Sequence, residues 1–201
     1  MKRRALLAGG AAVAGASVAV ALELRKPPVL HLAAADAGGA DAGGPEGRGL
    51  DGLGNLVLAD PVRAAPDIGF RDGQGQERRL ASFAGRAMVL NFWATWCAPC
   101  VRELPALAAL APRAAAEGIS VLALSQDGGG AAVVRAYFAA HRIADLPVWL
   151  DPEGAAGRAM GIRGVPTTFL INRRGRIVAL LEGAADWSSD AALARIRGLT
   201  G

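Results

Sequence analysis

Two cysteines, Cys97 and Cys100, are the only ones in a chain of 201 residues, and their setting limits what the chain can fold into. The apolar run Met88-Val89-Leu90-Asn91-Phe92-Trp93 leads up to them, and a helix-forming segment, Val101 to Glu117, follows. A strand that ends in C-x-x-C and opens a helix is the arrangement of a redox-active dithiol. A helix N-terminus aims its free N–H groups and the positive end of its dipole at Cys97, which favours the thiolate, and the position predicts a partly exposed sulfur. Cys100 lies one turn further on, facing the same side but deeper. On this geometry Cys97 is the nucleophile and Cys100 the resolving thiol, which closes an intramolecular disulfide or attacks a mixed disulfide formed at Cys97. Pro99 falls in the first turn, where its missing N–H does no harm. A structural disulfide and half of a zinc site are the competing readings. Zinc needs two more ligands, and the only histidines are His31 and His141, distant in sequence and not paired. The residues therefore imply no metal and no cofactor.

The formal charge of +4 invites a nucleic-acid reading, but the location of the charge removes it. Residues 1–26 hold Lys2, Arg3, Arg4, Arg25 and Lys26 against a single acid, Glu23, and the rest of the chain carries 17 residues of each sign. The basic excess belongs to a targeting segment and not to a binding surface. In that segment a basic start is followed by 18 uncharged residues, Ala5 to Leu22, closed by Glu23, Arg25 and Lys26 and broken by Pro27-Pro28. The pattern is that of an export signal. Three outcomes stay open: cleavage near Ala19-Val20-Ala21, retention as an anchor in the inner membrane, or export by the twin-arginine route through Arg3-Arg4. Each places the remainder in the periplasm, where a C-x-x-C as the only cysteine pair favours catalysis over a staple.

Residues 27–65 read as a flexible linker, rich in Ala, Gly and Asp. Leu53 to Leu58 within it is compatible with a short helix or an edge segment. A folded domain is expected over 66–201. Asp67–Phe70 and Glu77–Leu80, around a Gly-containing turn, predict an N-terminal β-hairpin. Met88–Trp93, almost wholly apolar, predicts a central strand covered on both faces. Further strands are expected over Ile119–Ser125, Val148–Leu150, Thr167–Ile171 and Ile177–Leu181. Further helices are expected over Ala131–His141, Gly154–Gly161 and from Asp190, as a cap, to Leu199. The order β-α-β-α-β followed by a hairpin and a helix predicts an α/β fold, with a mixed central sheet and helices on both faces.

Several separated motifs, in order, carry a resemblance. Asn91-Phe92-Trp93-Ala94-Thr95-Trp96-Cys97-Ala98-Pro99-Cys100, then Glu103-Leu104-Pro105, Leu150-Asp151-Pro152, Gly164-Val165-Pro166-Thr167-Thr168-Phe169 and Gly183-Ala184-Ala185-Asp186-Trp187 are together similar to the thioredoxin superfamily. Within it the chain resembles the TlpA/ResA-type thiol–disulfide oxidoreductases of bacterial envelopes. The resemblance implies the thioredoxin-like three-layer fold. It implies that Val165-Pro166 is the cis-proline loop packed beside the dithiol, and that Trp96, Val165, Pro166 and Thr167 meet an extended client segment. It further implies that Glu103 is the acidic residue kept near the dithiol, able to take the proton of Cys100; on helix geometry alone, an exposed helix glutamate is the competing reading. Asn91 stands where thioredoxin itself has a buried aspartate, which makes Glu103 the acid of this site. Trp93 reads equally well as core.

The function that follows is an envelope enzyme that reduces disulfides of client proteins. By resemblance the clients are apocytochrome c or copper-site proteins, and a membrane electron-donor protein restores the dithiol. The same motif serves an oxidant, because direction follows reduction potential and partners. A Cu(I)-binding or copper-delivery module without turnover is the alternative from another class. Its relatives space their cysteines one residue further apart and add a distal His. A thiol peroxidase needs a Thr three residues before the reactive Cys, whereas Thr95 stands two before Cys97.

Overall fold

A computed structural model of the chain describes residues 53–201. The expected export or anchor segment 1–26, the greater part of the expected linker 27–65 and His31 lie outside the described residues.

The first strand, β1 (Leu56–Ala64), lies inside the stretch read as linker, so the sheet begins before the expected domain start at residue 66. Its start falls in Leu53–Leu58, where an edge segment is one of the two expectations, and beyond Leu58 the pairing is interrupted. Leu56 to Leu58 pair with Leu181 to Ala179, and Arg63 and Ala64 with Ile177 and Arg176, with a bulge between that contains Pro61. A proline in a bulged edge strand removes no ladder bond.

The expected hairpin is present as β2 (Gly69–Asp72) and β3 (Glu77–Arg79), shifted toward the turn, and Leu80–Phe83 continues as a 3-10 turn. Asp72 holds the hairpin: its carboxylate accepts the backbone N–H groups of Gln74 and Gln76 and the guanidinium of Arg78. The central strand β4 (Ala87–Trp93) is buried at every residue. Beyond it come α1 (Ala98–Ala116), β5 (Ile119–Ser125), α2 (Gly130–His141), β6 (Trp149–Leu150), α3 (Ala155–Met160), β7 (Thr167–Ile171), β8 (Arg176–Glu182) and α4 (Asp190–Thr200). Gly118 follows the C-cap Glu117 of α1 with φ +75°, a left-handed position that favours glycine. The cap of α4 is Ser189, whose hydroxyl accepts from Ala192 N–H, and not Asp190, which opens the first turn instead.

The strands form one sheet in the order β1-β8-β7-β4-β5-β6-β2-β3. β4 is parallel to β5 and antiparallel to β7, so the sheet is mixed. Its two faces follow from the period of 2 along β4. Val89 and Trp93 pack with buried residues of α1, α2 and α4, such as Leu104, Phe138 and Ile196. Met88, Leu90 and Phe92 pack on the other face with Met160 of α3 and with Phe70 and Leu80 of the hairpin region. This is the expected three-layer α/β arrangement. β4 ends at Trp93, beside the first residue of β7 and the last of β8, because Phe92 pairs with Thr167 and Thr167 with Glu182. The dithiol and the Val165-Pro166 loop therefore emerge at the same end of the sheet.

Candidate active site

Cys97 and Cys100 are joined in a disulfide. Cys97 is the N-cap of α1: its backbone is extended, its sulfur accepts the N–H of Cys100 at 3.3 Å, and its carbonyl accepts the N–H of Val101 at 3.1 Å. A sulfur in the cap position satisfies one of the helix's orphan donors and lies at the positive end of the dipole. The helix runs unbroken through Pro105 and Pro112, and Pro99 sits in its first turn as expected. Cys100 is fully covered. Cys97 is only 5% exposed, less than the partly exposed position predicted for it. The order of the two sulfurs, Cys97 outward and Cys100 behind, is as the helix geometry requires.

The neighbour of Cys97 that faces solvent is Trp96, 70% exposed, a large apolar side chain left outside the core. Against Cys97 lies the loop before β7. The Val165–Pro166 peptide bond is cis. The carbonyl oxygen of Val165 is 3.5 Å from the sulfur of Cys97. In the disulfide that sulfur has no proton, so this is a contact, and a reduced thiol at the same place would donate to the carbonyl. Pro166 is buried and its carbonyl accepts the N–H of Gly183 at 2.9 Å. Thr167 is buried as well, and its hydroxyl donates to Gly164 at 2.7 Å, so its side chain shapes the loop and presents no open surface. Of the four residues expected to meet a client, Trp96 and Val165 have accessible surface.

Glu103 is 3% exposed, one turn beyond Cys100 on α1. Its Oε1 accepts from Asn91 Nδ2 at 3.0 Å. Its Oε2 accepts from Ala185 N–H at 3.0 Å and from the Trp187 indole N–H at 3.1 Å. Burial pushes the carboxyl above its ordinary value, and the hydrogen bonds from Trp187, Ala185 and Asn91 pull against that without reversing it. A carboxyl so placed can take up or release a proton inside the protein. Asn91, on β4, also donates to the hydroxyl of Thr168 at 2.9 Å. Trp93 belongs to the core: it is fully buried, its indole N–H donates to Ala123, and its ring stacks on Phe138.

Asp127, two residues past the end of β5, holds the approach to the dithiol. It is buried, and it accepts from the Thr95 hydroxyl at 2.6 Å, from Thr95 N–H at 3.0 Å and from the Ser125 hydroxyl at 2.7 Å. This fixes the turn two residues before Cys97 to the end of β5. Asp127 carries no local signal and Trp187 only its place in the Gly183–Trp187 motif, because each acts on a residue 32 or 84 positions away. Among the described residues no group of three or more His, Cys, Asp or Glu side chains converges as a metal site, and no helix is long and apolar enough to cross a membrane.

The sequence over residues 61–180 matches the model of the AhpC/TSA family. A thiol-disulfide oxidoreductase ResA of Geobacillus thermodenitrificans is 34% identical over 119 residues, which are 59% of this chain and 67% of that protein. The ResA of Bacillus subtilis is 31% identical over 119 residues, 59% of this chain and 65% of its own length. Among solved structures, a thiol:disulfide interchange protein of the thioredoxin family from Chlorobium tepidum superposes with a TM-score of 0.57 at 26% identity, covering 69% of this chain and 96% of that one. The exposed lipoprotein thioredoxin Etrx1 of Streptococcus pneumoniae gives 0.56 at 28% identity, covering 66% and 99%.

Proposed function

The chain belongs to the AhpC/TSA family, and on that premise we propose that it is an exported thiol–disulfide oxidoreductase of the ResA type that reduces disulfides of client proteins. The observation that carries this reading is the disulfide at the N-cap of α1, with Cys97 in the cap and Cys100 covered behind it. The reduced pair acts in two steps. The Cys97 thiolate, favoured by the helix N-terminus, attacks one sulfur of a client disulfide. A mixed disulfide forms and the other client sulfur leaves as a thiolate. Cys100 then gives its proton to Glu103 and attacks the sulfur of Cys97. The second client thiolate leaves, and the Cys97–Cys100 disulfide seen here is the product. The client gains two electrons and the enzyme loses them.

Trp96 and the Val165 backbone form the surface on which the client segment lies, and Pro166 and Thr167 hold that loop in place. A membrane electron-donor protein restores the dithiol by the same exchange run in reverse. The location is periplasmic, with segment 1–26 as signal or inner-membrane anchor, and the clients are apocytochrome c or copper-site proteins awaiting reduction. The test is a disulfide-reduction assay on the full chain, on Cys97→Ser and on Glu103→Gln, together with a redox titration. Loss of turnover in Cys97→Ser and a slowed Glu103→Gln are expected. Stoichiometric Cu(I) binding without turnover would replace the oxidoreductase with a copper-binding module.

A further inference from the structure

The least accounted-for polar atom beside the dithiol is Oδ1 of Asn91. Asn91 is wholly buried, and Oδ1 has no hydrogen-bond partner in the protein. An unmet buried acceptor is uncommon and asks for a reason. The other end of the same amide is fully engaged, with Nδ2 donating to Glu103 Oε1 and to Thr168 Oγ1. The amide is therefore held at one end only. A half-turn about its last side-chain bond, a broad twofold torsion, exchanges the two ends. Turning the amide places the N–H groups of Nδ2 where Oδ1 now has no protein partner, a cost that a favourable contact at the Thr168 and Glu103 end has to outweigh.

Thr168 is indifferent, since a hydroxyl donates as readily as it accepts. Glu103 is not. As a carboxylate it only accepts, and Nδ2 is the end it needs. As a carboxylic acid it has an O–H to place. Oε2 already faces two groups that can only donate, the Ala185 N–H and the Trp187 indole N–H. An added proton thus belongs on Oε1, the atom that faces Asn91, where Nδ2 would oppose it and Oδ1 would accept it.

We propose that the Asn91 side chain is a two-position amide that presents Nδ2 to Glu103 when the carboxyl is charged and Oδ1 when it carries a proton, with Thr168 changing from acceptor to donor in step. Asn91 is a positioning residue in this scheme, and the scheme rests on the reading of Glu103 as the group that takes the proton of Cys100. In that transfer the S–H bond of Cys100 breaks and an O–H bond forms on Oε1. No electrons move until the thiolate attacks Cys97. Because the amide turns, Oε1 has a matched partner before and after. The groups that face the pair from β4, β7 and the 183–187 segment are Asn91, Thr168, Ala185 and Trp187, all uncharged, and the titratable group one turn back on α1 is Cys100. Burial raises the carboxyl against the pull of the three donors, in keeping with a protonated form that is readily reached.

The orientation is read directly by neutron diffraction of oxidised crystals of the full chain below and above the titration midpoint of Glu103, located by carboxyl-carbon NMR. The amide deuterons are expected on the atom facing Glu103 above the midpoint and on the atom facing away below it. The same orientation at both pH values, or a Glu103 that holds no proton at any pH where the chain is folded, would overturn the proposal. A second arm follows resolution of a mixed disulfide with oxidised glutathione. Asn91→Leu, which removes both polar ends, should slow that step by about tenfold or more and move its pH midpoint, and an unmoved midpoint would count against the switch. Failure of the underlying reading shows separately, as a Glu103→Gln chain that resolves at the wild-type rate.

Discussion

The indole N–H of Trp187 meets the carboxylate of Glu103 at 3.1 Å, across 84 residues of sequence. Trp187 is fully buried, and the N–H of Ala185 reaches the same oxygen. The segment after β8 therefore closes over the acid of the dithiol helix. Trp187→Phe keeps an aromatic ring and removes one donor to the charged form, so the Glu103 midpoint should rise further. A hydrogen bond to a charged group contributes about 1.5–3 kcal/mol, and the stability loss at neutral pH should fall in or slightly above that range. NMR titration of the Glu103 carboxyl carbon and denaturant unfolding check the two effects.

The raised carboxyl of Glu103 makes folding pH-dependent in a stated direction. In the unfolded chain the group titrates near its ordinary 4.5, and in the folded protein burial moves it higher. Between the two values the native state binds the extra proton. The contribution of Glu103 to stability is therefore fully present below pH 4.5 and is lost as pH rises through the folded value. Glu103→Gln, neutral at all pH, should remove this part of the slope. Unfolding free energies of the oxidised wild type and variant across that window test the sign.

Asp127 predicts a different outcome, because it binds neutral donors from two segments. Its carboxylate accepts from Thr95 and Ser125, and Ser125 Oγ in turn accepts the N–H of Asp127. Asp127→Ala leaves the half-buried Thr95 N–H without its carboxylate partner and releases the turn that leads to Cys97. The expected loss is about 2–4 kcal/mol, with a drop in disulfide-reduction rate that Asp127→Asn partly restores. Denaturant unfolding and the client-reduction assay, run on both variants, separate the structural from the kinetic part.

Arg142 closes α2 with a left-handed backbone, φ 56°, the one non-glycine residue of positive φ among the described residues. A side chain in that region is strained by about 1 kcal/mol or more relative to glycine. Arg142→Gly should be neutral to stabilising, up to about 1 kcal/mol, and raise Tm by about 2–4 °C at most. A thermal melt of the oxidised chain measures it, and activity should not change.

The parts of this molecule that were legible beforehand are those whose cause is local. The apolar run of β4, the C-x-x-C opening a helix and the turns between strand pairs each carry their reason within a few residues, so the three-layer order and the placement of Cys97 and Cys100 could be read directly. β1 is legible only in part: Leu53–Leu58 allows an edge segment, but the exposed, bulged pattern around Pro61 makes sense only once β8 lies beside it. Glu103 looked like any helix glutamate by spacing, and its burial depends on Trp187 and Ala185 folding back over it. Asp127 opens the glycine run Gly128-Gly129-Gly130, and its partner Thr95 lies 32 positions away. The depth of Cys97 was misjudged for the same reason, since the Val165 loop that lies against it is 68 positions downstream.

The dithiol mechanism is tested most directly by trapping its intermediate. The reduced full chain carrying Cys100→Ala is incubated with a disulfide-bonded protein, and the cysteine joined to that protein is identified by mass spectrometry. The mechanism predicts a stable adduct through Cys97, and no turnover in a Cys97→Ala chain with Cys100 intact. An adduct formed through Cys100 in the Cys97→Ala chain, with disulfide reduction undiminished, would contradict it.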